Sequence, residues 1–302
     1  MKAVICIIGP TAVGKSSLAL QLAQKLQTEI ISSDSRQMYK YLDIGTAKPS
    51  TEELSQIKHH FINQLEPTQA YNAADFAEEA EEQIHALLEE QEHLIIVGGS
   101  TLYMDALWYA FDEMPEIPME VREGLMNEFG EKGLAPLLGE LEQIDPITFA
   151  QIDKNNHARV IRALEVYRAS GKAISHFRKG RKAKPYPWKW IKLGLSDERS
   201  LLYERINQRV DQMLEEGLEK EVTQLFEQYS PEAPALQSIG YSEWKPYFRG
   251  EREKEEVIRL IKRNSRRYAK RQLTWFRRYK DINWFEAGDN ETILSTLLAQ
   301  VQ

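Results

Sequence analysis

The sequence predicts an α/β protein, a parallel sheet flanked by helices and interrupted by a helical insertion. Three observations carry this expectation. The chain opens on a β-branched apolar run that leads at once into a glycine-containing loop. Apolar runs of strand length then alternate with amphipathic helical patterns, the rhythm of strand–helix–strand crossovers. From residue 112 to 190 that rhythm stops, and short helical patterns separated by prolines take its place.

Residues 2–8 (KAVICII) read as a buried strand, and residues 15–26 carry helical periodicity. Residues 29–32 (EIIS) form a short second strand, ending at the polar run Ser33, Asp34, Ser35, Arg36, Gln37. Residues 75–92 read as a long acidic helix with Phe76, Ala80, Ile84, Leu87 and Leu88 on one face. Residues 93–97 (HLIIV) are a third strand, stopped by Gly98 and Gly99. Pro115, Pro118, Pro136 and Pro146 punctuate the helical region, which closes in a basic loop at 179–187. Residues 188–195 (WKWIKLGL) return to the sheet. Helical patterns follow at 198–215, 218–228 and 251–279, then a last strand at 282–285 and a last helix at 291–301. The expected division is a core of 1–113 with 189–302, and an insertion at 114–188.

Composition narrows the function classes. A chain of 302 residues, 42% hydrophobic, can bury a sizeable core, so a wholly disordered protein is excluded. One cysteine, Cys6, can form neither an internal disulfide nor a thiolate zinc site, which points to a reducing compartment. No apolar run approaches the roughly 20 residues of a membrane span. The apolar start ends at Ile8 and feeds a motif that needs its strand, so it reads as a strand and not as a secretory leader. A cytoplasmic protein is expected, a monomer by default and with no protein partner.

The formal charge of −7 conceals two basic stretches. Residues 154–192 hold 12 Lys or Arg and one acid, and residues 259–280 hold 10 and none. Such asymmetry suggests a polyanion held in a defined place. Tyr268, Trp275, Phe276 and Tyr279 are interleaved in the second stretch. Single-stranded or looped nucleic acid uses such aromatics for stacking, although packing against a core explains them equally well.

Gly9, Pro10, Thr11, Ala12, Val13, Gly14, Lys15 and Ser16 fit G-x-x-x-x-G-K-[ST], with a strand before and a helix after. Glycines let the backbone wrap an anion, and the helix N-terminus adds positive potential. Lys15 would neutralise phosphate charge, and the Ser16 hydroxyl would ligate Mg²⁺. The core is therefore expected to be P-loop NTPase-like. An ATPase or kinase would close the neighbouring strand with an acid, but here that strand ends in Gly98, Gly99 and Ser100. The nearest comparable carboxylate is Asp34, which could be a metal ligand, a general base or a simple turn cap.

At this point the residues resemble a family, the bacterial tRNA dimethylallyltransferases, over the whole length of the chain. GPTAVGKS (9–16), IISSDSRQMYKYLDIGTAKPS (30–50), VGGSTLY (97–103), RVIRALEVYRASGK (159–172), RINQRVDQML (205–214), QSIGYSE (237–243) and RRYAKRQLTWFR (266–277) carry the likeness. It implies transfer of the dimethylallyl group of dimethylallyl diphosphate to N6 of the adenine just 3′ of the anticodon. The tRNAs concerned read codons beginning with U. Pyrophosphate leaves, Mg²⁺ is required, and the phosphate loop holds the prenyl donor, so no ATP is hydrolysed. Whether ATP can occupy the loop stays open.

By the same resemblance Asp34 is the general base, and Thr11, Ser100 and Arg209 complete the catalytic set, with Arg205 as runner-up to Arg209. Ser100 stands where the family commonly has Thr. The loop residues 9–16 with Arg209 bind diphosphate. Asp34, Ser35, Arg36, Gln37, Ser100, Ala158, Arg159, Val160, Ile161, Arg162, Arg271 and Gln272 contact the tRNA anticodon stem–loop. A P-loop ATPase or small-molecule kinase, an adenylate prenyltransferase and a non-catalytic RNA-binding protein are the competing readings.

Overall fold

The computed structural model describes residues 2–301. Contacts divide the chain into two units, Met1–Trp108 with Pro185–Gln302, and Tyr109–Lys184.

In the first unit β1 (Ala3–Ile8) runs into α1 (Lys15–Leu26), followed by β2 (Ile30–Ser32), α2 (Thr51–Gln56), β3 (His59–His60), α3 (Ala73–Glu90), β4 (His93–Gly98) and α4 (Thr101–Trp108). The second unit begins with β5 (Tyr109–Ala110) and continues through α5 (Met119–Lys132), α6 (Leu134–Ile144), α7 (Pro146–Gln151), α8 (His157–Ser170) and α9 (Ile174–Phe177) to β6 (Lys182–Ala183). The first unit then resumes with β7 (Lys189–Ser196), α10 (Arg199–Glu215), α11 (Leu218–Gln228), α12 (Lys245–Phe248), α13 (Lys254–Phe276), β8 (Asn283–Glu286) and α14 (Asn290–Val301).

Six strands form one sheet in the order β3-β2-β4-β1-β7-β8, every pairing parallel. All six residues of β1 are buried, as a strand covered on both faces requires. Its neighbours are β4 and β7, so the chain order reverses on either side of β1. In open α/β sheets such a switch point opens a crevice beyond the strands' carboxyl ends. The phosphate loop leaves β1 at that place.

Local chemistry explains the helices. Gly14, at φ +101°, starts α1 in a conformation that disfavours any side chain. Asn72 and Asp75 form a reciprocal cap that fixes the start of α3, each side chain accepting from the other's backbone N–H. Apolar faces of α1, α10 and α14 close over the sheet through Leu18, Leu22, Leu202, Ile206, Ile293 and Leu297. Cys6 is enclosed within β1, and burial pushes its thiol up to about 12, leaving it unreactive.

The second unit has its own core. Leu125 of α5, Leu137 and Leu141 of α6, and Val160, Ile161, Ala163, Leu164 and Val166 of α8 are its buried centre. Asp145 caps α7 by accepting from Thr148 N at 2.9 Å and also accepts from Ser175 N at 3.0 Å.

The sequence reading misses α2, β3, α4, β5, β6 and α12. At two residues β3 is too short to show a period, and α4 buries Tyr103 to Trp108 in one unbroken run that masks the helical period.

Candidate active site

The phosphate loop is held from several sides. A Cβ on Gly9 would lie 2.5 Å from the Leu195 carbonyl oxygen of β7, so only glycine fits there. Val13 is buried in the core, and only its backbone can serve a ligand. Lys15 Nζ donates to the Pro10 carbonyl at 2.7 Å, folding the ammonium over its own loop. Burial, with the Arg209 charge beside it, brings the Lys15 ammonium down to about 7, while Asp34 opposes that shift. Arg209 Nη1 stands 3.5 Å from the Thr11 hydroxyl. Burial lowers the Arg209 guanidinium, with Asp34 and Glu216 opposing.

These groups border two adjoining cavities. The smaller, of 80 Å³, is lined by Thr11, Lys15, Ser16, Asp34, Gly99 and Arg209, among others. The larger, of 320 Å³, shares Thr11, Asp34 and Arg209 with it. Ile206, Val210, Met213, Ile239 and Ile261 give the larger one an apolar wall. Thr46 and Tyr268 line both. A polar compartment thus opens into an apolar one across Asp34.

Asp34 is fixed in place. Its Oδ1 accepts from Arg36 N at 2.8 Å and from Gln37 N at 3.4 Å. Among the described residues none donates to Oδ2. The turn-cap reading and the base reading are therefore compatible: one oxygen caps the turn and the other is open to a reacting proton. Ser100 completes this floor, since its hydroxyl accepts from Ser35 N at 2.9 Å and donates to Ser35 Oγ at 3.2 Å. The Tyr268 hydroxyl also pairs with Ser100, and burial, with Asp34 nearby, pushes that phenol up to about 12. Arg36 Nη1 donates to the Pro234 carbonyl at 3.1 Å, and Gln37 Nε2 donates to the carbonyls of Thr46 and Ala47 at 3.3 and 3.1 Å.

The DIGTAKP segment is a wall built by docking. Glu221 of α11 accepts from the N–H groups of Asp43, Ile44 and Gly45 at 3.0, 2.8 and 3.1 Å, and from Tyr241 Oη at 2.7 Å. Gly45 lies flat on the Tyr241 ring, where a Cβ would come within 2.6 Å. The SIGY segment is thereby the surface on which this wall rests. Lys48 staples the segment by donating to Tyr39 O, Asp43 Oδ1 and Asn63 Oδ1.

Strand β4 ends in two glycines because neither position has room for a side chain. A Cβ on Gly98 would meet Ser33 Oγ at 2.2 Å, and one on Gly99 would meet Gln272 Nε2 at 2.2 Å. The acid that an ATPase would carry at this place has no space.

Several expected contacts are corrected. Gln272 is 2% exposed and bonded on both sides within the protein, so it offers nothing to a tRNA. Val160 and Ile161 sit in the core of the second unit, so α8 presents Ala158, Arg159 and Arg162 outward but not those two side chains. Arg162 also pairs with Glu165 at 3.1 Å. Arg205 pairs with Asp197 and lines neither cavity, whereas Arg209 lines both. Phe276 and Tyr279 are buried, and Trp275 Nε1 donates to Asp105 at 3.1 Å, so these aromatics hold α13 and do not form a stacking platform. Arg271 lines the larger cavity.

Among the lining residues absent from the sequence-based list of site residues are Thr46, Tyr268 and His59. Thr46 and Tyr268 fall inside segments that had drawn notice, and His59 follows no motif. His59 Nδ1 contacts the Ile57 carbonyl at 2.8 Å, and burial lowers its ring below the ordinary value.

Among the described residues no three His, Cys, Asp or Glu converge to hold a metal, and no helix is long and apolar enough to cross a membrane.

Comparison with known proteins agrees with this geometry. The family model described as IPP transferase matches residues 37–279. The chain is 44% identical over 303 residues to the tRNA dimethylallyltransferase of Cytophaga hutchinsonii, covering 100% of this chain and 98% of the relative. It is 46% identical over 287 residues to that of Carboxydothermus hydrogenoformans, covering 94% and 92%. The full-length tRNA isopentenylpyrophosphate transferase of Bacillus halodurans superposes with a TM-score of 0.73 at 37% identity, covering 100% and 97%. A eukaryotic dimethylallyltransferase captured acting on tRNA gives 0.78 at 30% identity, covering 96% of this chain and 75% of that one. With the family model matched over most of the chain and these identities holding along nearly its whole length, the chain belongs to the IPP transferase family, whose curated members named here are tRNA dimethylallyltransferases.

Proposed function

We propose that this chain transfers a dimethylallyl group from dimethylallyl diphosphate to N6 of the adenine 3′-adjacent to the anticodon, in tRNAs that read U-initial codons. The observation that supports it best is the carboxylate of Asp34, set between a compartment for phosphate and an apolar compartment.

Loop N–H groups, Lys15, Thr11 and Arg209 hold the diphosphate and meet the charge that grows on it as the allylic C–O bond breaks. Ile206, Val210 and Met213 keep water from the allylic carbon. The exocyclic amine is a weak nucleophile, because its lone pair is shared with the ring. As its C–N bond forms, Asp34 takes the proton through its open oxygen, and pyrophosphate departs. Mg²⁺ fits this donor set: the Ser16 hydroxyl borders the polar cavity, and Mg²⁺ habitually takes few protein ligands beside substrate phosphates and water. Bound there it would neutralise charge on the leaving diphosphate. Arg159, Arg162 and the outer face of α13 supply cations for the anticodon stem–loop. With tRNA as acceptor, the work belongs in the cytoplasm.

An ATPase or kinase is disfavoured by the space-filled glycine end of β4. The test is an assay with Mg²⁺, labelled dimethylallyl diphosphate, and two unmodified tRNA transcripts, one reading a U-initial codon and one not. AMP serves as a parallel acceptor. Label in the first transcript alone is the expected result. Label on AMP, or none on any acceptor, would refute the proposal.

A further inference from the structure

We propose that Gln272 is a positioning residue that fixes the phosphate loop against the long basic helix and so sets the affinity for the prenyl donor. The inference deepens the prenyl-transfer reading and rests on it.

One side chain joins three segments. Gln272 projects from α13 and is 2% exposed. Its Oε1 accepts from Thr11 N at 2.9 Å, and its Nε2 donates to the Gly99 carbonyl at 2.9 Å. The phosphate loop, the end of β4 and α13 thus meet at one amide. The two bonds have opposite polarity, so the side chain must both donate and accept at a fixed spacing. An amide does so; a carboxylate does not donate, and an apolar chain of equal length does neither. The close packing points the same way. A Cβ on Gly99 would lie 2.2 Å from Nε2, so the glycine leaves room for this amide.

The bond to Thr11 matters because Thr11 is bound in turn to the reacting groups. Its hydroxyl faces Arg209 Nη1 at 3.5 Å, and it lines both cavities beside Asp34. Gln272 borders the smaller cavity, but both ends of its amide are taken by Thr11 and Gly99, so it acts through Thr11. The same helix carries Tyr268 and Arg271, which line the larger cavity, and Arg267, Lys270 and Arg271 are exposed on it. The helix that offers charge to a polyanion is therefore the one that locates the phosphate loop. A partly buried Thr11 N–H left without this acceptor would draw the loop toward another arrangement or toward water.

The test uses Gln272→Met, which keeps length and loses both bonds, and Gln272→Glu, which keeps only the acceptor. Three quantities are read: pyrophosphate binding with Mg²⁺ by calorimetry, tRNA binding without donor, and KM and kcat for transfer. Gln272→Met is expected to weaken pyrophosphate binding about tenfold and to raise KM for dimethylallyl diphosphate alike, with tRNA binding changed less than about twofold. Weakened tRNA binding with unchanged pyrophosphate binding would overturn the inference and return Gln272 to direct tRNA contact. No change in either would overturn it too. If Gln272→Met fails to fold, Gly99→Ala takes its place, since the added Cβ displaces the amide from its other side. Its effect on pyrophosphate binding should shrink in a Gln272→Ala background; strict additivity of the two would contradict the coupling. A wild-type protein that binds pyrophosphate but transfers no label would defeat the prenyl-transfer reading alone, because the binding comparison still reports on Gln272.

Discussion

The two basic stretches look alike in sequence and differ in what their inward faces build. Helix α13 turns Ile261, Ser265, Tyr268 and Arg271 to the larger cavity and buries Gln272 against the phosphate loop. Helix α8 turns Val160, Ile161, Leu164 and Val166 into the core of its own unit and contributes to neither cavity. Charge count alone did not separate them. Part of each positive count is also spent internally: Arg168 pairs with Glu128 and Glu140, Lys262 with Asp211, and Arg259 with Glu256. Lys192, counted with the first stretch, is buried on β7 beside Asp281. The difference teaches that one stretch shapes the cavities and the phosphate loop, whereas the other builds the core of its own unit.

The sharpest way to break this contrast is at Asp34. Asp34→Asn keeps the turn acceptor and loses the base, so the transfer rate should fall by about 10²–10⁴-fold with tRNA affinity nearly unchanged. Rapid-quench transfer kinetics measure it, and an unaltered rate would remove the base from the account. Arg209→Ala comes next. It should lower kcat/KM by about 10²–10³-fold, the range for loss of one preorganised charge-stabilising donor. Arg205→Ala, one turn earlier and turned to Asp197, should change it only a few-fold, and steady-state kinetics on the pair distinguish the two arginines.

A pH dependence follows from Lys15. Its ammonium in the free site titrates at about 7, and a bound diphosphate favours the charged form. Binding therefore takes up a proton above that pH. Affinity for a prenyl diphosphate should fall by up to about tenfold per unit as pH rises above 7, and level off below it until the ligand's terminal phosphate protonates near about 6. Calorimetry in buffers of different ionisation enthalpy would detect the proton uptake, and Lys15→Met should flatten the profile.

The smallest effects belong to the helical insertion. Arg159→Ala and Arg162→Ala should each raise KM for tRNA a few-fold and reduce the salt slope of binding by about one, without altering kcat. Filter binding across a salt series gives the slope, and a changed kcat would place these residues closer to the chemistry than the contrast allows.

Much of this was legible in the sequence. The strand–loop–helix at the start had the right boundaries for α1, because Gly14 and the helical period mark them independently. The last helices and the return strand lie within a few residues of expectation for the same reason of strong periodicity. The phosphate loop and Asp34 could be found from local pattern. What could not be found was direction. A motif such as AKRQLTWF names residues without saying which face the interior, and Gln272 and Phe276 face it. Nor could the reason for DIGT and SIGY be read, since Glu221, which joins them by four hydrogen bonds, lies in neither. Long-range pairing of that kind leaves no trace in spacing.

Single-turnover transfer at saturating tRNA compares the two regions most directly. Labelled dimethylallyl diphosphate would be followed in the wild type, Asp34→Asn and the Arg159→Ala/Arg162→Ala double variant. The account predicts that the double variant regains the wild-type rate once tRNA saturates, while Asp34→Asn stays at least about a hundredfold slower at every tRNA concentration. A double variant that remains slow at saturation, or an Asp34→Asn rate restored by excess tRNA, would contradict it.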